Sequence, residues 1–164
     1  MSAPDFLPLS PGLRLEYSVN RAQQTRRLVV EHLPASGRGV IVRRTWTSSD
    51  GAAETETSRV ERREDGVYSD GVLLLPLPPR AGAAWSAPPR QYRVEALNAA
   101  AETPAGKFSG CLRVGYLIAA GDGGSGERLY APGVGLVRES CSDEADPFEV
   151  VLTGLAKAPG GEAA

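Results

Sequence analysis

LRLEYSVN, residues 13–20, decides the fold. Leu13, Leu15, Tyr17 and Val19 alternate with polar residues, a period of two that sets four side chains on one face of a strand. LVVEH (28–32) and VIVRRTW (40–46) follow in the same manner, with Ser, Gly, Asp or Pro in the gaps. A first loop at 21–24 places Tyr17 opposite Leu28, Leu15 opposite Val30 and Leu13 opposite His32. A loop around PASGR (34–38) then sets His32 beside Val40, Val30 beside Val42 and Leu28 beside Arg44. The SSDG turn (48–51) brings Trp46 to Ala53 and Val42 to Thr57. Leu13, Leu15, Tyr17, Leu28, Val30, Val40, Val42 and Trp46 then share one buried face, because a slip of one residue would turn a whole strand over.

AETETSRVERR (53–63) is polar on both faces and reads as an edge or solvent-open strand whose charges discourage further pairing. Prolines 76, 78 and 79, with Pro88 and Pro89, forbid a long central strand after residue 75, so VYSDGVLLLPLPPRAGAAW (67–85) reads as a short strand and an extended crossing segment. Strands resume at QYRVEALNAAAET (91–103), KFSGCLRVGYLIAA (107–120), ERLYA (127–131), GVGLVRESC (133–141) and FEVVLTGL (148–155). Val94 to Glu102 has helix-friendly composition, yet Tyr92, Val94 and Ala96 alternate; it reads as strand, or strand with one helical turn. An all-β, antiparallel sheet of roughly ten strands is expected, in one domain over 1–155 with a disordered tail over 156–164. LPLSPG (7–12) and LPLPPRAG (75–82) echo each other about 70 residues apart, a hint of two similar halves.

Composition narrows the function classes. At 164 residues, 41% hydrophobic and 23% charged, the chain suits one globular domain with a sizeable core. No apolar run approaches the roughly 20 residues of a membrane-spanning helix. Sixteen of the eighteen basic residues are Arg, but they are spread evenly among acids and the net charge is −2, which speaks against a nucleic-acid partner. MSAPDFLPLS lacks the basic start and apolar core of a leader, so the chain reads as cytoplasmic as written, or as an envelope or periplasmic protein whose leader was removed.

Catalytic and metal chemistry find little support. His32 is the sole histidine and has no partnered base or nucleophile; alone on an apolar face it reads as a core residue. Cys111 and Cys141 form no metal pattern, and no cofactor motif is present. Pairing 107–120 with 126–131 sets Leu117 near Tyr130 and Cys111 near 138–141, so the two thiols are either a cross-strand disulfide or two small buried side chains. Glu54 and Glu56 lie on one face of an exposed strand and read as solvated. GDGGSG (121–126) precedes a strand, so it is a hairpin loop and not a phosphate loop. Arg44 falls on the inward face: either it snorkels to the rim, or it is a charged anchor for a polar ligand group.

Four motifs in order, Pro11-Gly12 with Tyr17, Leu75 to Leu77 with Gly82 and Trp85, Pro104 to Phe108, and Tyr130 to Val137 (YAPGVGLV), resemble a family of small bacterial β-rich domains. Its members are mostly uncharacterised and often exported or lipid-anchored. The resemblance implies a curled sheet or half-barrel, distantly similar to periplasmic lipoprotein carriers, with no agreed activity. The expectation adopted beside it is a non-enzymatic binding domain whose curled sheet leaves a groove lined by Val114, Tyr116 and Ile118, with Arg44 as anchor. Its occupant would be an apolar small molecule or lipid, or a protein segment; the alternative is an interaction protein docking its sheet face in an assembly. The Pro132-Gly133 pair reads as a corner or bulge inside a strand.

Overall fold

A computed structural model describes residues 4–119, 123–142 and 146–157. Twelve strands form one sheet: β1 (Leu13–Arg21), β2 (Gln24–Pro34), β3 (Val40–Thr47), β4 (Ala53–Arg63), β5 (Gly66–Ser69), β6 (Val72–Pro76), β7 (Ala84–Ala87), β8 (Arg90–Thr103), β9 (Gly106–Ile118), β10 (Ser125–Ala131), β11 (Gly135–Cys141) and β12 (Phe148–Lys157). There is no helix among the described residues, and 91–103 is strand throughout, with irregular register at Val94/Ala96, Ala96/Ala99 and Ala99/Ala101. The count exceeds ten because the 66–76 stretch folds back at Asp70-Gly71 into two strands and Ala84–Ala87 forms another. β12 runs to Lys157, so the expected tail boundary falls inside a strand; residues 158–164 lie outside the described residues.

Strand order is β6-β5-β4-β3-β2-β1-β12-β11-β10-β9-β8-β7, every neighbouring pair antiparallel. Two six-stranded meanders, β1–β6 and β7–β12, are therefore joined by the β1–β12 ladder. The echo read in the sequence marks the entrance to each. Leu13 N–H donates to Ser10 O (3.2 Å) with Gly12 at φ 92°, and Ala83 N–H donates to Arg80 O (3.0 Å) with Gly82 at φ 87°. Both are turns of the kind that need a positive φ at the third residue. Each glycine N–H then donates at 2.8 Å to the second strand of its own meander, Gly12 to His32 O and Gly82 to Val94 O.

The first face is as expected in composition. Leu13, Leu15, Tyr17, Val40 and Val42 are buried, Leu28, Val30 and Trp46 half-buried, and Leu15 lies opposite Val30. The β2–β3 register differs by two residues: Val42 faces His32, Arg44 faces Val30 and Trp46 faces Leu28. Pro34 still pairs with Val40, and Gly37 and Gly39, both at φ 85°, compress the loop to 35–39. An even shift keeps each side chain on its face. The β3–β4 register slips by one, Trp46 to Glu54 and Val42 to Ser58. That odd slip sets Val60, the buried apolar residue of β4, opposite Val40 in the core, while the exposed Ala53–Thr57 stretch offers nothing to misplace. β4 is internal, yet β5 pairs only with Val60–Arg63, so Ala53–Ser58 carries no partner on its other side.

Pro132-Gly133 is not a corner within a strand. Val134 N–H donates to Ala131 O (3.1 Å) with Gly133 at φ 74°, a full reversal between β10 and β11; the irregularity lies earlier, at Leu129/Tyr130. The β9–β10 register also departs from expectation, with Leu117 opposite Ser125 and Tyr130 opposite Leu112. Cys111 packs with Leu13, Leu15 and Leu152, whereas Cys141 packs with Tyr92 and Tyr116; both are free thiols, and the disulfide reading is withdrawn. That reading set the register five residues off, since Leu117 pairs with Ser125 rather than lying near Tyr130; residues 120–122 of the connecting loop lie outside the described residues.

β11 pairs with β12 only over Arg138–Cys141. Beyond that, the tip of the β8–β9 hairpin approaches β12: Ala105 N–H donates to Leu152 O (3.2 Å), and Ala99, Ala101 and Cys111 join the core around Leu13, Tyr17, Val137 and Leu152. His32 sits in the interior, 8% exposed, with Nδ1 unpartnered, and burial followed by the nearby Arg44 charge lowers its pKa to about 4.

Two outcomes are expected. Gly133 has no atom within 4 Å of where a Cβ would stand, so Gly133→Val meets backbone strain alone and should cost about 1–3 kcal/mol in chemical denaturation. An unchanged midpoint would refute the strain. For His32, the unfolded chain binds a proton near pH 6.5 that the folded chain refuses until about pH 4. Stability should be complete above pH 6.5 and fall as pH drops towards 4, by at most about 3 kcal/mol at about 1.4 kcal/mol per pKa unit. His32→Gln should flatten that window in a pH series of denaturation curves; an equal loss in both proteins would remove His32 as the cause.

Candidate functional site

Along β7–β11 the registers stack residues into rows that run across the strands. Trp85, Tyr92, Tyr116, Gly126 and Cys141 form one row, and Val94, Val114, Arg128 and Glu139 another on the same face. This is the inner face, and it is filled. Trp85 stacks on Tyr92 at 5.2 Å between ring centroids, Tyr92 meets Tyr116 tilted at 5.6 Å, and Val94, Leu112 and Val114 pack beside them.

Within this aromatic wall lies a buried charge pair. Tyr116 O–H donates to Glu139 Oε2 at 2.7 Å, and Arg128 Nε stands 3.2 Å from the same oxygen, an ion pair without hydrogen-bond alignment. The Arg128 guanidinium lies over Tyr92 (5.3 Å) and Tyr116 (5.5 Å), while Arg90 covers the Tyr116 ring at 4.7 Å. Burial, then the Glu139 charge and hydrogen bond, push the Tyr116 hydroxyl well above the ordinary tyrosine range. Tyr116 is thus a neutral donor that completes the coordination of a buried carboxylate. Gly126 makes room for it: a Cβ there would collide with the Tyr116 hydroxyl and with Ser140 O.

The opposite, outer face of the same strands is open. Ala84, Arg93, Gly115, Glu127 and Ser140 form one row, and Ser86, Gln91, Leu117 and Ser125 the next. These rows line a trough of about 940 Å³ that crosses five strands. Its floor is low because Gly115 has no side chain, and Glu95 leans over it, its carboxylate 2.6 Å from where a Cβ would be. Leu117 lies in the trough and is 60% exposed. Glu127 is held by Arg113 Nε at 3.4 Å.

The residues expected to form a site are distributed otherwise. Val114 and Tyr116, 1% and 3% exposed, belong to the inner core, and Ile118 is half-buried against it. The whole row of Trp85, Tyr92, Tyr116, Gly126 and Cys141 also contributes to the trough lining. Arg44 is across the interior on β3, donating to Ser58 Oγ at 2.9 Å; burial lowers its pKa, with Glu56 and Tyr17 acting against that. Glu54 and Glu56 are exposed on β4. Among the described residues no group of three His, Cys, Asp or Glu side chains could hold a metal ion. Sequence reasoning missed Arg128 and Glu139, since ERLYA alternates so as to place Leu129 and Ala131 inward, and both faces of β10 are in fact covered. It also missed Gly115, Glu95 and Leu117. The available signal was Leu117 two residues from Gly115, on the same strand face, in LRVGYLI.

No protein-family model matches the chain, and no curated protein matches it. Two solved structures do. A predicted lipoprotein of Parabacteroides distasonis has TM-score 0.65 at 16% identity, covering 95% of this chain and 100% of that one. A predicted exported protein of Bacteroides fragilis, with a fold described as YmcC-like, has TM-score 0.64 at 16% identity, covering 94% and 100%. At this identity the likeness is one of fold: a curled, nearly closed, all-antiparallel sheet.

Proposed function

We propose that this chain is a non-enzymatic binding domain of an exported or envelope-anchored bacterial protein, taking an extended partner segment in the outer trough of β7–β11. The observation that carries this reading is the trough itself, about 940 Å³ with Leu117 bare on its floor. Its size falls within the range of about 300–1,000 Å³ typical of ligand sites. Its form favours an extended occupant. A small apolar molecule is held by burial on most sides, whereas this trough is open along its length and runs over five strands. The inner face, where a groove of Val114, Tyr116 and Ile118 would hold an apolar ligand, is occupied by the chain's own side chains. The envelope setting is supported by the two proteins of like fold, one described as a predicted lipoprotein and the other as a predicted exported protein. A purely structural role, with the sheet face docked in an assembly, is the rival reading, favoured by the exposed Leu97 on β8 and Leu155 on β12.

Gly115→Val raises the floor of the trough. Its backbone is unstrained, valine suits a strand, and the only obstacle is the flexible end of exposed Glu95. Stability should change by less than about 1 kcal/mol. Native mass spectrometry of gently purified protein should find a co-purified polypeptide segment on the wild type and none on the variant. A lipid mass on both proteins, or no bound mass on either, would end the trough reading.

A further inference from the structure

β4 runs from Ala53 to Arg63, but β5 pairs only with Val60–Arg63. That ladder ends in a cap at Arg59, whose N–H donates to Asp70 Oδ1 and whose carbonyl accepts from Asp70 N–H, both at 2.8 Å. Arg59 therefore directs its backbone groups away from β3, and in a strand of unbroken register every second residue does the same. Those residues are Thr57, Thr55 and Ala53. The alternate set serves β3, in step with Ala52 O, which accepts from Ser48 N–H at 2.9 Å in the turn. Among the described residues nothing pairs with the outward N–H and C=O groups of Ala53, Thr55 and Thr57. Open edges are commonly blunted by proline, lysine, bulges or brevity. β8 beyond Arg93 has irregular register, whereas Ala53–Ser58 is regular, free of proline and carries β-branched Thr55 and Thr57. Its other phase holds Glu54 and Glu56, both exposed and in no ion pair among the described residues. Arg44 lies directly opposite Glu56, yet donates to Ser58 Oγ at 2.9 Å.

We infer that Ala53–Ser58 is a strand-addition edge that takes an extended segment of another polypeptide carrying Lys or Arg at alternate positions. The two carboxylates select the occupant. A second copy of β4, paired antiparallel through all three outward residues, would set Glu54 against Glu56 twice, and like charges directly opposite each other are destabilising. A strand with cations two residues apart places them beside Glu54 and Glu56 on one face, while its other phase meets Thr55 and Thr57. Main-chain hydrogen bonds to Ala53, Thr55 and Thr57 supply the adhesion, and the charge pairs supply the discrimination. The Asp70 cap closes the edge at one end and the Ser48–Gly51 turn at the other, so the register of the added strand is bounded on both sides. The edge belongs to the first meander and shares no residue with the trough, so the two readings stand or fall separately.

Residue-resolved amide exchange of the full chain tests this with a short capped peptide of alternating lysine and valine. The peptide should slow exchange at Ala53, Thr55 and Thr57 at least about tenfold and leave β12 unchanged. A glutamate–valine peptide should give no protection. With Glu54→Lys and Glu56→Lys together the preference should reverse, and since both side chains are exposed the fold tolerates the change. N-methylation of the valines, whose N–H groups would face β4, keeps the charge of the lysine peptide and should abolish its protection. Equal protection by the methylated peptide would reduce the effect to charge attraction and overturn strand addition. Equal protection by the lysine and glutamate peptides would overturn the charge selection, and none by the lysine peptide would overturn the site. Protection that rises with protein concentration alone would give the edge to a second copy, and its loss in Gly115→Val would move the peptide to the trough; either result overturns the inference.

Discussion

The ladder between β1 and β12 joins residues as distant in sequence as Leu13 and Lys157, and among the described residues no other ladder connects the two meanders. Loop closure on this scale costs entropy that rises only with the logarithm of length, so the ladder is affordable once the strands carry a buried face. Leu13, Leu15, Tyr17 and Val19 supply it, meeting Leu152 and Val150 of β12. Because β1 and β12, the outer strands of the two meanders, are committed here, the remaining edges, β6 and β7, are left to each other. Both are short, and Pro76, Pro78, Pro79, Pro88 and Pro89 lie in or beside them, which withholds N–H groups from any further strand.

The same closure explains the buried polar wall of the second meander. An ion pair taken out of water gains little unless its remaining hydrogen-bonding capacity is met. Glu139 has Arg128 and Tyr116 on the same oxygen, and the Arg128 plane rests on two aromatic rings. Such a wall is rigid, since moving any member leaves another unsatisfied. Rigidity there matters for the trough, because both are built on the same strands and Trp85, Tyr92 and Tyr116 of the wall also contribute to its lining. A binding surface backed by an aromatic and ionic layer keeps its shape when empty, which lowers the ordering cost of binding.

Turn chemistry repeats with the halves. Ser10–Leu13, Arg80–Ala83 and Ala131–Val134 use the same hydrogen bond with a positive-φ glycine third in the turn. Two of these launch the meanders, and the third presents the N–H that the N-terminal segment takes up. The glycines of the LPL and YAPGVGLV motifs are therefore needed for backbone conformation, and the motifs act on function through the shape they impose.

Much of this was determined by sequence alone. Alternation at 13–19 and 40–46 established the strands and their buried face, because a period of two has one geometric meaning on a pleated chain. The Leu-Pro-Leu echo marked the two halves, because a type of turn has a residue signature. Register was legible where an apolar pattern penalised slippage, as at Leu15 and Val30, and illegible at β4, where Val60 is the one buried apolar side chain. Only the tertiary structure decided which face of the second meander would be filled. Val114, Tyr116 and Ile118 alternate with Gly115 and Leu117 in a stretch apolar on both phases, so local pattern could not choose between them. The choice came from residues remote in sequence: Phe6, Leu75 and Tyr130 converge on the Val114 side, and the glycine floor was left to solvent. Packing against distant chain is a property of the closed sheet, and no window of neighbouring residues contains it.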